Sequence, residues 1–338
     1  MPADPAHPMT RDAKEKKMPA RNAAVAHPSA PSAVGLDLLD AIAAELDAGA
    51  GEAALERLAT ALAALRQSRS SEWWNHFVTE VCKPHALYER LDADPFTRRA
   101  RDQPRGYPGD AVLLDYVYHG LPAAEQAGVS DEGRAIFAFT AGRSGSAEAL
   151  RQRRDFLARE LDRTGAEHPA ARVLAVAAGH LREAALSSAV RDEQLGELVA
   201  LDQDGHSLAE VERSGYGACV RTHAASVGAL IKGSLDLGTF DLIYAPGLYD
   251  YLPAHLGRLL TSALVARLRP GGQLLLGNFA AGFASQAFME AFQAWSLIGR
   301  THEEMAGLFA DVPAGALRQV STFIDSGRHI VYARVERA

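Results

Sequence analysis

Two short apolar runs, joined by a turn and a helical pattern, limit the folds open to this chain more than any other feature. The first run, Val173–Ala178, ends at Gly179, and a pattern of apolar and polar residues with helical spacing starts at about Leu181. The second run, Leu198–Leu201, is followed at once by acidic residues, of which Asp202 comes first. A strand, a turn of small residues, a helix and a second strand ending in an acid make up half of a nucleotide-binding α/β fold. We therefore expect an α/β domain whose ligand site follows these two strands.

The composition of the turn narrows the choice of ligand. A dinucleotide site is marked by Gly-x-Gly-x-x-Gly, whereas Ala177, Ala178 and Gly179 supply one glycine. Small residues let the backbone approach a ligand, and the N-terminus of the following helix offers free N–H groups to an anion. The turn therefore favours a ligand without a pyrophosphate, such as S-adenosylmethionine (SAM), with Asp202 beside both ribose hydroxyls. The segment also fits an ordinary α/β crossover that binds nothing.

Composition excludes several classes of protein. A net charge of −7 and a pI of about 6.0 do not indicate a nucleic-acid or membrane partner. The two cysteines, Cys82 and Cys219, form neither a disulfide framework nor a metal-ligand spacing, so we expect a cytoplasmic protein without a metal. No apolar run reaches the ~18 residues of a membrane span, and the first residues lack the apolar core of a secretory signal.

The chain divides into three parts by its residue patterns. Residues 1–33, rich in proline, alanine and charge, are predicted to be a disordered tail. Residues 34–165 carry helical patterns and almost no strands, which predicts a helical N-terminal domain that covers the site as a lid. In residues 166–338 strands and helices alternate. Strands are predicted near 172–177, 197–202, 217–222, 240–245, 272–278, 319–325 and 329–335, and helices near 181–190, 205–213, 255–267, 285–295 and 302–309.

The last two predicted strands flank the tight turn Ser326-Gly327 and must therefore be antiparallel. Five parallel strands followed by a terminal hairpin make a seven-stranded, Rossmann-like sheet. A dehydrogenase domain normally lacks that hairpin.

Four segments in order resemble the motifs of class I SAM-dependent methyltransferases. They are Val173–Gly179 for the glycine-rich first motif, Leu201-Asp202 for the ribose-binding acid, Phe240–Leu252 for the fourth strand and Leu268–Leu276 for the turn and fifth strand. The resemblance covers about 170 residues. It implies a methyltransferase with SAM as its cofactor and a seven-stranded sheet of five parallel strands plus an antiparallel hairpin.

A narrower resemblance rests on three segments taken together, which are Arg105–Asp110, Ala178–Glu183 and Gly247–Leu252. This combination is similar to a bacterial methyltransferase subfamily labelled as 3-hydroxypalmitic acid methyl ester biosynthesis proteins. Its members have a helical region ahead of the Rossmann-like domain. They usually carry cysteine where Ala178 stands, so this turn departs from their pattern. The resemblance implies methyl transfer, with a fatty-acid carboxyl as one specific acceptor.

The candidate cofactor-binding residues follow the ends of the predicted strands. The first turn would hold the methionine end of SAM, the second strand the ribose, the third the adenine and the fourth the sulfonium. The corresponding residues are Ala177, Gly179, His180, Asp202, Gln203, Ser234, Ala245 and Gly247. His180 could instead contact the acceptor, or cap the turn and point to solvent.

The candidate catalytic and substrate-binding residues depend on the acceptor. A carboxylate acceptor is already ionised and needs no base, so an arginine would only position it. A hydroxyl or neutral nitrogen needs a base. The base candidates are Tyr107, Asp110, His180 and Asp250, and the substrate-binding candidates are Arg105, Tyr107, Tyr249, Asn278 and Arg300. Asp250 could also cap the next helix, and one tyrosine of 249–251 is expected in the core.

Three hypotheses for function follow. The first is an O- or N-methyltransferase for a small bacterial metabolite, with a fatty-acid carboxyl as the leading acceptor. The second is a methyltransferase for a polar natural product, such as an N-hydroxy or amino-acid-derived compound. The third is a SAM-binding sensor without catalysis. The net acidic chain and the absence of an Asn/Asp-Pro-Pro-Tyr/Phe motif disfavour nucleic-acid or protein methylation. A homodimer through the N-terminal helices is a further expectation.

Overall fold

The computed structural model describes residues 31–338 and begins with a helical region. The predicted tail, residues 1–33, lies outside the described part except for its last three residues, which start the first helix. The helices before the first strand are α1 Pro31–Asp47, α2 Gly51–Ser68, α3 Ser71–Phe77, α4 Ala86–Arg90, α5 Pro95–Asp102, α6 Ala111–His119, α7 Ala123–Gln126, α8 Asp131–Phe137 and α9 Gly145–Glu167. The predicted domain boundary after residue 165 lies in the last turn of α9.

Polar side chains determine where several of these helices begin. Asp94 accepts hydrogen bonds from the backbone N–H groups of Phe96 and Thr97 at the start of α5, both at 3.0 Å. Asp110 accepts one from Leu113 N at 2.9 Å at the start of α6. These caps pair backbone donors that the first helical turn leaves free. The Asp110 cap also fixes the end of the loop 103–110 that leads into α6.

The helical region packs on the rest of the chain as well as on itself. Its apolar core contains Leu39 and Leu55, both fully buried, together with Phe77. Phe288 and Phe292 join the same core from a helix far along the sequence. The helical region is thereby held in one orientation over the edge of the sheet.

The sheet has seven strands in the order β3-β2-β1-β4-β5-β7-β6. The strands are β1 Arg172–Val176, β2 Glu197–Asp202, β3 Val220–Ala224, β4 Phe240–Ala245, β5 Leu268–Phe279, β6 Leu317–Ile324 and β7 Ile330–Arg337. β1 to β5 run parallel, and β7 lies antiparallel between β5 and β6. This arrangement confirms the predicted fold: a Rossmann-like sheet of five parallel strands and a terminal hairpin, preceded by helices.

Helices cover both faces of the sheet. The remaining helices are α10 Ser188–Arg191, α11 Gly205–Ser214, α12 Val227–Ile231, α13 Ala254–Val265, α14 Gln286–Phe292 and α15 His302–Gly307. One face packs on α6, α9, α10 and α11, and the other on α12, α13 and α15. The carboxyl ends of the parallel strands stay open to ligands, as is usual in this architecture. No helix among residues 31–338 is both long and apolar enough to cross a membrane.

The connection between β1 and β2 differs from the prediction. The sequence predicted a helix over 181–190, but the chain forms a single 3₁₀ turn, Arg182–Ala185, and then the short α10. Leu181 has a left-handed backbone (φ 52°), which a helix cannot include. Ser187 then caps α10 and donates to Asp162 at 2.6 Å, which divides the segment. The predicted anion site at a long helix N-terminus is therefore wrong.

Candidate functional site

A cavity of about 520 Å³ opens at the carboxyl ends of β1, β2 and β4. Its volume lies in the usual range for small-molecule sites. The turn after β1 and the ends of β2 and β4 form one wall. The loop 105–109, helix α6 and the first half of α9 form the opposite wall, and Trp295 and Leu297 close one side. The cavity therefore lies between the sheet and the helical region.

The turn after β1 has an unusual backbone. Ala177, Gly179 and Leu181 are all left-handed, with φ values of 54°, 54° and 52°. Two of these residues carry a side chain, and such a conformation costs on the order of 1–3 kcal/mol at a residue other than glycine. A Cβ on Gly179 would lie 3.3 Å from the Cβ of Ala111, so α6 approaches this turn closely. The turn thus reaches the cavity with a single glycine, Gly179, where nucleotide-binding turns usually carry several.

Asp202 holds this turn at the end of β2. Its side chain accepts hydrogen bonds from Gly179 N and Asp204 N, both at 2.9 Å. It is 7% exposed and lines the cavity beside Gln203. A carboxylate oxygen can accept more than one hydrogen bond, so Asp202 can still bind a diol from the cavity side.

His180 forms a dyad with Asp115 of α6. The His180 Nδ1 atom lies 2.8 Å from Asp115 Oδ2, and Arg182 donates to the same carboxylate at 2.7 and 2.6 Å. Tyr216 also donates to the backbone carbonyl of His180 at 3.0 Å. Burial alone would raise the pKa of Asp115, but the hydrogen bonds from Arg182 and His180 lower it to about 2. An ionised Asp115 therefore orients the imidazole, which is 6% exposed and lines the cavity.

The loop 105–109 is fastened over the cavity at both ends. Arg105 pairs with Asp204 next to the ribose-binding candidate. The Tyr251 hydroxyl donates to the carbonyl of Pro108 at 2.9 Å and accepts from the Trp295 indole N–H at 3.0 Å. These contacts hold the loop closed over the cavity.

Two further features of the loop bear on its chemistry. A Cβ on Gly109 would lie 2.2 Å from the Trp295 ring, so only glycine fits at this point. Burial, reinforced by the charge of Asp202, raises the pKa of Tyr107 to about 12. The Tyr107 phenol therefore stays protonated at neutral pH, which makes it a poor general base.

Three buried charged side chains line the deep end of the cavity. Arg153 of α9 donates to the carbonyl of Pro246 at 3.0 Å, Glu183 accepts from the Tyr244 hydroxyl at 2.8 Å, and Asp250 accepts from Phe279 N at 2.7 Å. Each is less than 9% exposed. Burial raises the pKa of Asp250 to about 7, and it also raises the pKa of Glu183.

The structure brings nine of the predicted site residues to this cavity. They are Arg105, Tyr107, Ala177, Gly179, His180, Asp202, Gln203, Gly247 and Asp250. Asp250 does not cap a helix, because its carboxylate accepts from the backbone of β5 instead.

Three further predicted residues do not line the cavity. The Asp110 carboxylate accepts a hydrogen bond from Leu113 N as the cap of α6 and two more from the Arg99 guanidinium. Ser234 lies beyond α12, and its hydroxyl donates to the carbonyl of Ala229, because β3 ends ten residues earlier in the chain. Ala245 is fully buried on the opposite face of the sheet, and the chain lines the cavity only from the next residue, Pro246, onward.

Tyr249, Asn278 and Arg300, predicted to bind substrate, are also buried behind the cavity wall. The Tyr249 hydroxyl bonds Thr261 at 2.9 Å. Arg300 donates to the carbonyl of Tyr249 and to the side chain of Asn278. These three residues support the segment that carries Asp250, and they do not contact the cavity themselves.

Several cavity residues were not predicted from the sequence. Asp115 and Arg153 come from helices in the N-terminal half, where helical periodicity carries no sign of a site. Glu183 belongs to the motif segment but was assigned to a helix. Trp295 follows α14, far from any motif. The one available signal was a charged residue among apolar ones on a helix face, as Arg153 lies between Leu150 and Leu157 on the buried face of α9. Among residues 31–338, no group of three or more histidine, cysteine or acidic side chains could hold a metal ion.

Comparisons with known proteins find similarity in structure. No protein-family model matches the chain, and no curated protein sequence is significantly similar to it. A possible exported protein from Bordetella parapertussis matches with a TM-score of 0.52 and 18% identity, over 75% of this chain and 98% of that one. This likeness concerns the fold and extends into the helical region.

Two solved methyltransferases are also similar, with lower TM-scores. The SAM-dependent methyltransferase SibL matches with a TM-score of 0.46 and 17% identity, over 74% of this chain and 72% of that one. Magnesium protoporphyrin IX methyltransferase from Synechocystis PCC 6803, with bound S-adenosylhomocysteine, matches with a TM-score of 0.45 and 11% identity, over 57% and 86%.

Proposed function

We propose that the protein is a SAM-dependent methyltransferase that methylates an oxygen or nitrogen of a small molecule. One observation carries the proposal: Asp202 at the end of β2 is bonded to the turn after β1, and both line a covered cavity. The antiparallel strand β7, which a dehydrogenase domain normally lacks, supports this reading of the fold.

The residues of the cavity fit the cofactor. Asp202 offers carboxylate oxygens to a ribose diol, and Gln203 lies beside it. A Cβ on Gly247, at the end of β4, would lie 2.9 Å from the Arg153 guanidinium. Glycine at this position therefore leaves space for both the guanidinium and a ligand. Ala225 and Val227, after β3, give an apolar surface suited to an adenine ring. When bound, SAM supplies a methyl group on a sulfonium that a nucleophile can attack.

The chain's own residues would bind and align the acceptor and exclude water. The loop 105–109, held by Tyr251 and Asp204, covers the cavity, and alignment of nucleophile and methyl group is the main source of rate in such a displacement. His180, oriented by Asp115, can take the proton of a hydroxyl or amine through Nε2. Asp250, with its pKa near 7, is a second base.

Two narrower assignments of the acceptor remain proposals. A fatty-acid carboxyl is favoured by the apolar side chains of Leu114, Leu150, Leu157 and Leu297 in the cavity wall. A polar, amino-acid-derived acceptor is favoured by the buried charges at the deep end. A cytoplasmic homodimer also stays a prediction.

Calorimetry with SAM and with S-adenosylhomocysteine, beside NAD, tests the proposal. We expect both sulfur ligands to bind and NAD not to bind. Asp202→Asn should weaken S-adenosylhomocysteine binding by about 1.5–3 kcal/mol, or roughly 10- to 150-fold in Kd. Asp236→Asn, at an exposed position, is the matched control and should bind as the native protein does.

The outcomes separate the proposal from its alternatives. If a folded protein binds neither sulfur ligand, the proposal fails. A second candidate function, a SAM sensor without catalysis, is favoured by the strained Ala177 and Leu181 in place of glycines. Binding without methyl transfer to any member of a broad acceptor panel would support the sensor.

A further inference from the structure

The three charged residues at the deep end of the cavity are not paired with one another. Among residues 31–338, Arg153, Glu183 and Asp250 each hydrogen-bond a partner that carries no charge: a carbonyl, a phenol and a backbone N–H. All three are buried and all three line the cavity. A buried charge without a partner is unfavourable, so such a cluster is expected to serve a charged ligand.

The cluster contains charges of both signs close together. The Arg153 guanidinium bonds the carbonyl of Pro246, which lies two residues after Tyr244, the partner of Glu183, and four residues before Asp250. The guanidinium and the two carboxyl groups therefore meet at one short stretch of the cavity wall. The other arginines of the cavity wall already have acidic partners: Arg105 pairs with Asp204, Arg154 with Asp155, and Arg182 with Asp115. Arg153 is therefore the arginine of this wall that can bind an anionic group of a ligand. The carboxyl groups of Glu183 and Asp250 beside it can bind a cationic group.

We infer that this end of the cavity binds an amino-carboxylate, with the carboxylate of the ligand on Arg153 and its ammonium group on Glu183 and Asp250. The inference rests on the proposed function and names the class of its acceptor. Arginine recognises carboxylates through paired N–H donors, and carboxylates accept the N–H groups of an ammonium ion.

The same charges argue against a simple fatty-acid acceptor. Its carboxylate would lie beside Glu183 and Asp250 without a positive group of its own, and like charges at short range disfavour ionisation. An amino-carboxylate supplies both signs in the arrangement that the cluster needs.

The test uses the full-length protein saturated with S-adenosylhomocysteine. The probes are the twenty L-amino acids and β-alanine, each examined by thermal shift and calorimetry. For each ligand that binds, its methyl ester and its N-acetyl derivative, which each lack one charge, are measured in the same way. We expect at least one probe to bind and both derivatives to bind about tenfold more weakly or worse.

Variants then assign the binding to the cluster. Arg153→Gln and Glu183→Gln should each weaken the amino acid by about tenfold or more and leave S-adenosylhomocysteine affinity within about twofold. Arg159→Gln is the matched control, because Arg159 is exposed on the same helix. If Arg153→Gln does not fold, as judged by circular dichroism, Glu183→Gln decides the question.

Three results would overturn the inference. The first is that S-adenosylhomocysteine binds but no probe does. The second is that ester or N-acetyl derivatives bind as well as the free amino acid. The third is that Arg153→Gln weakens S-adenosylhomocysteine but not 5′-methylthioadenosine, which would assign the cluster to the amino-acid end of the cofactor. If S-adenosylhomocysteine does not bind the native protein at all, the proposed function has failed instead.

Discussion

Replacing Asp250 by asparagine should change how the stability of the protein depends on pH. Asp250 is 3% exposed, and burial raises its pKa from an ordinary 3.8 to about 7. A carboxyl whose pKa rises on folding binds its proton more tightly in the folded state than in the unfolded state. The contribution of this group to stability is therefore greatest below pH 3.8, falls as the pH rises to about 7, and is constant above that.

The size of the effect follows from the shift. A difference of about three pKa units, at about 1.36 kcal/mol per unit, amounts to about 4 kcal/mol. Asparagine does not titrate, and its side-chain oxygen can still accept the hydrogen bond from Phe279 N. The stability of Asp250→Asn relative to the native protein should therefore increase by about 4 kcal/mol between pH 4 and pH 8.

Urea unfolding at a series of pH values measures this difference. Asp236→Asn, at an exposed site, serves as the control for the substitution itself. A constant difference for Asp250→Asn would mean that Asp250 ionises as it does in water, and the reasoning from burial would be refuted.

Two further predictions concern the loop and the dyad. Gly109→Ala should lower the free energy of unfolding by about 1–3 kcal/mol more than Gly106→Ala does. Both glycines have positive φ, but only Gly109 faces the Trp295 ring. Equal losses of unfolding free energy in urea titrations would contradict this prediction. Asp115→Asn should cost about 2 kcal/mol at pH 7. Because the folded-state pKa of Asp115 is depressed to about 2, that contribution is present above pH 3.8 and is lost as the pH falls towards 2. A loss at pH 7 no greater than that of the exposed Asp192→Asn would argue against the dyad with His180.

The sheet could be predicted in detail from the sequence. All seven strands lie close to their predicted positions. The central strands β1, β2 and β4 are short, mostly apolar and buried runs, which is the pattern that a sequence shows most clearly. The tight turn at Ser326-Gly327 required an antiparallel hairpin, and the structure has it. Local residue patterns are sufficient where burial on both faces and turn chemistry agree.

The helix after β1 could not be predicted in the same way. Its apolar residues recur with helical spacing. However, Leu181 adopts a left-handed backbone, and Arg182 hydrogen-bonds Asp115 on another helix. Those contacts join residues far apart in sequence, and they override a local preference worth a few tenths of a kcal/mol per residue.

The residues of the candidate site also fall into those that the sequence could identify and those that it could not. The sequence by itself determined which residues follow the strand ends, and so Gly179, Asp202 and Gly247 could be named, because parallel strands always bring their carboxyl ends to one edge. Only the tertiary structure decided which side chains from the helical region meet that edge. Arg153 and Asp115 lie on helices whose position over the sheet depends on core packing between distant segments, and no local pattern encodes that position.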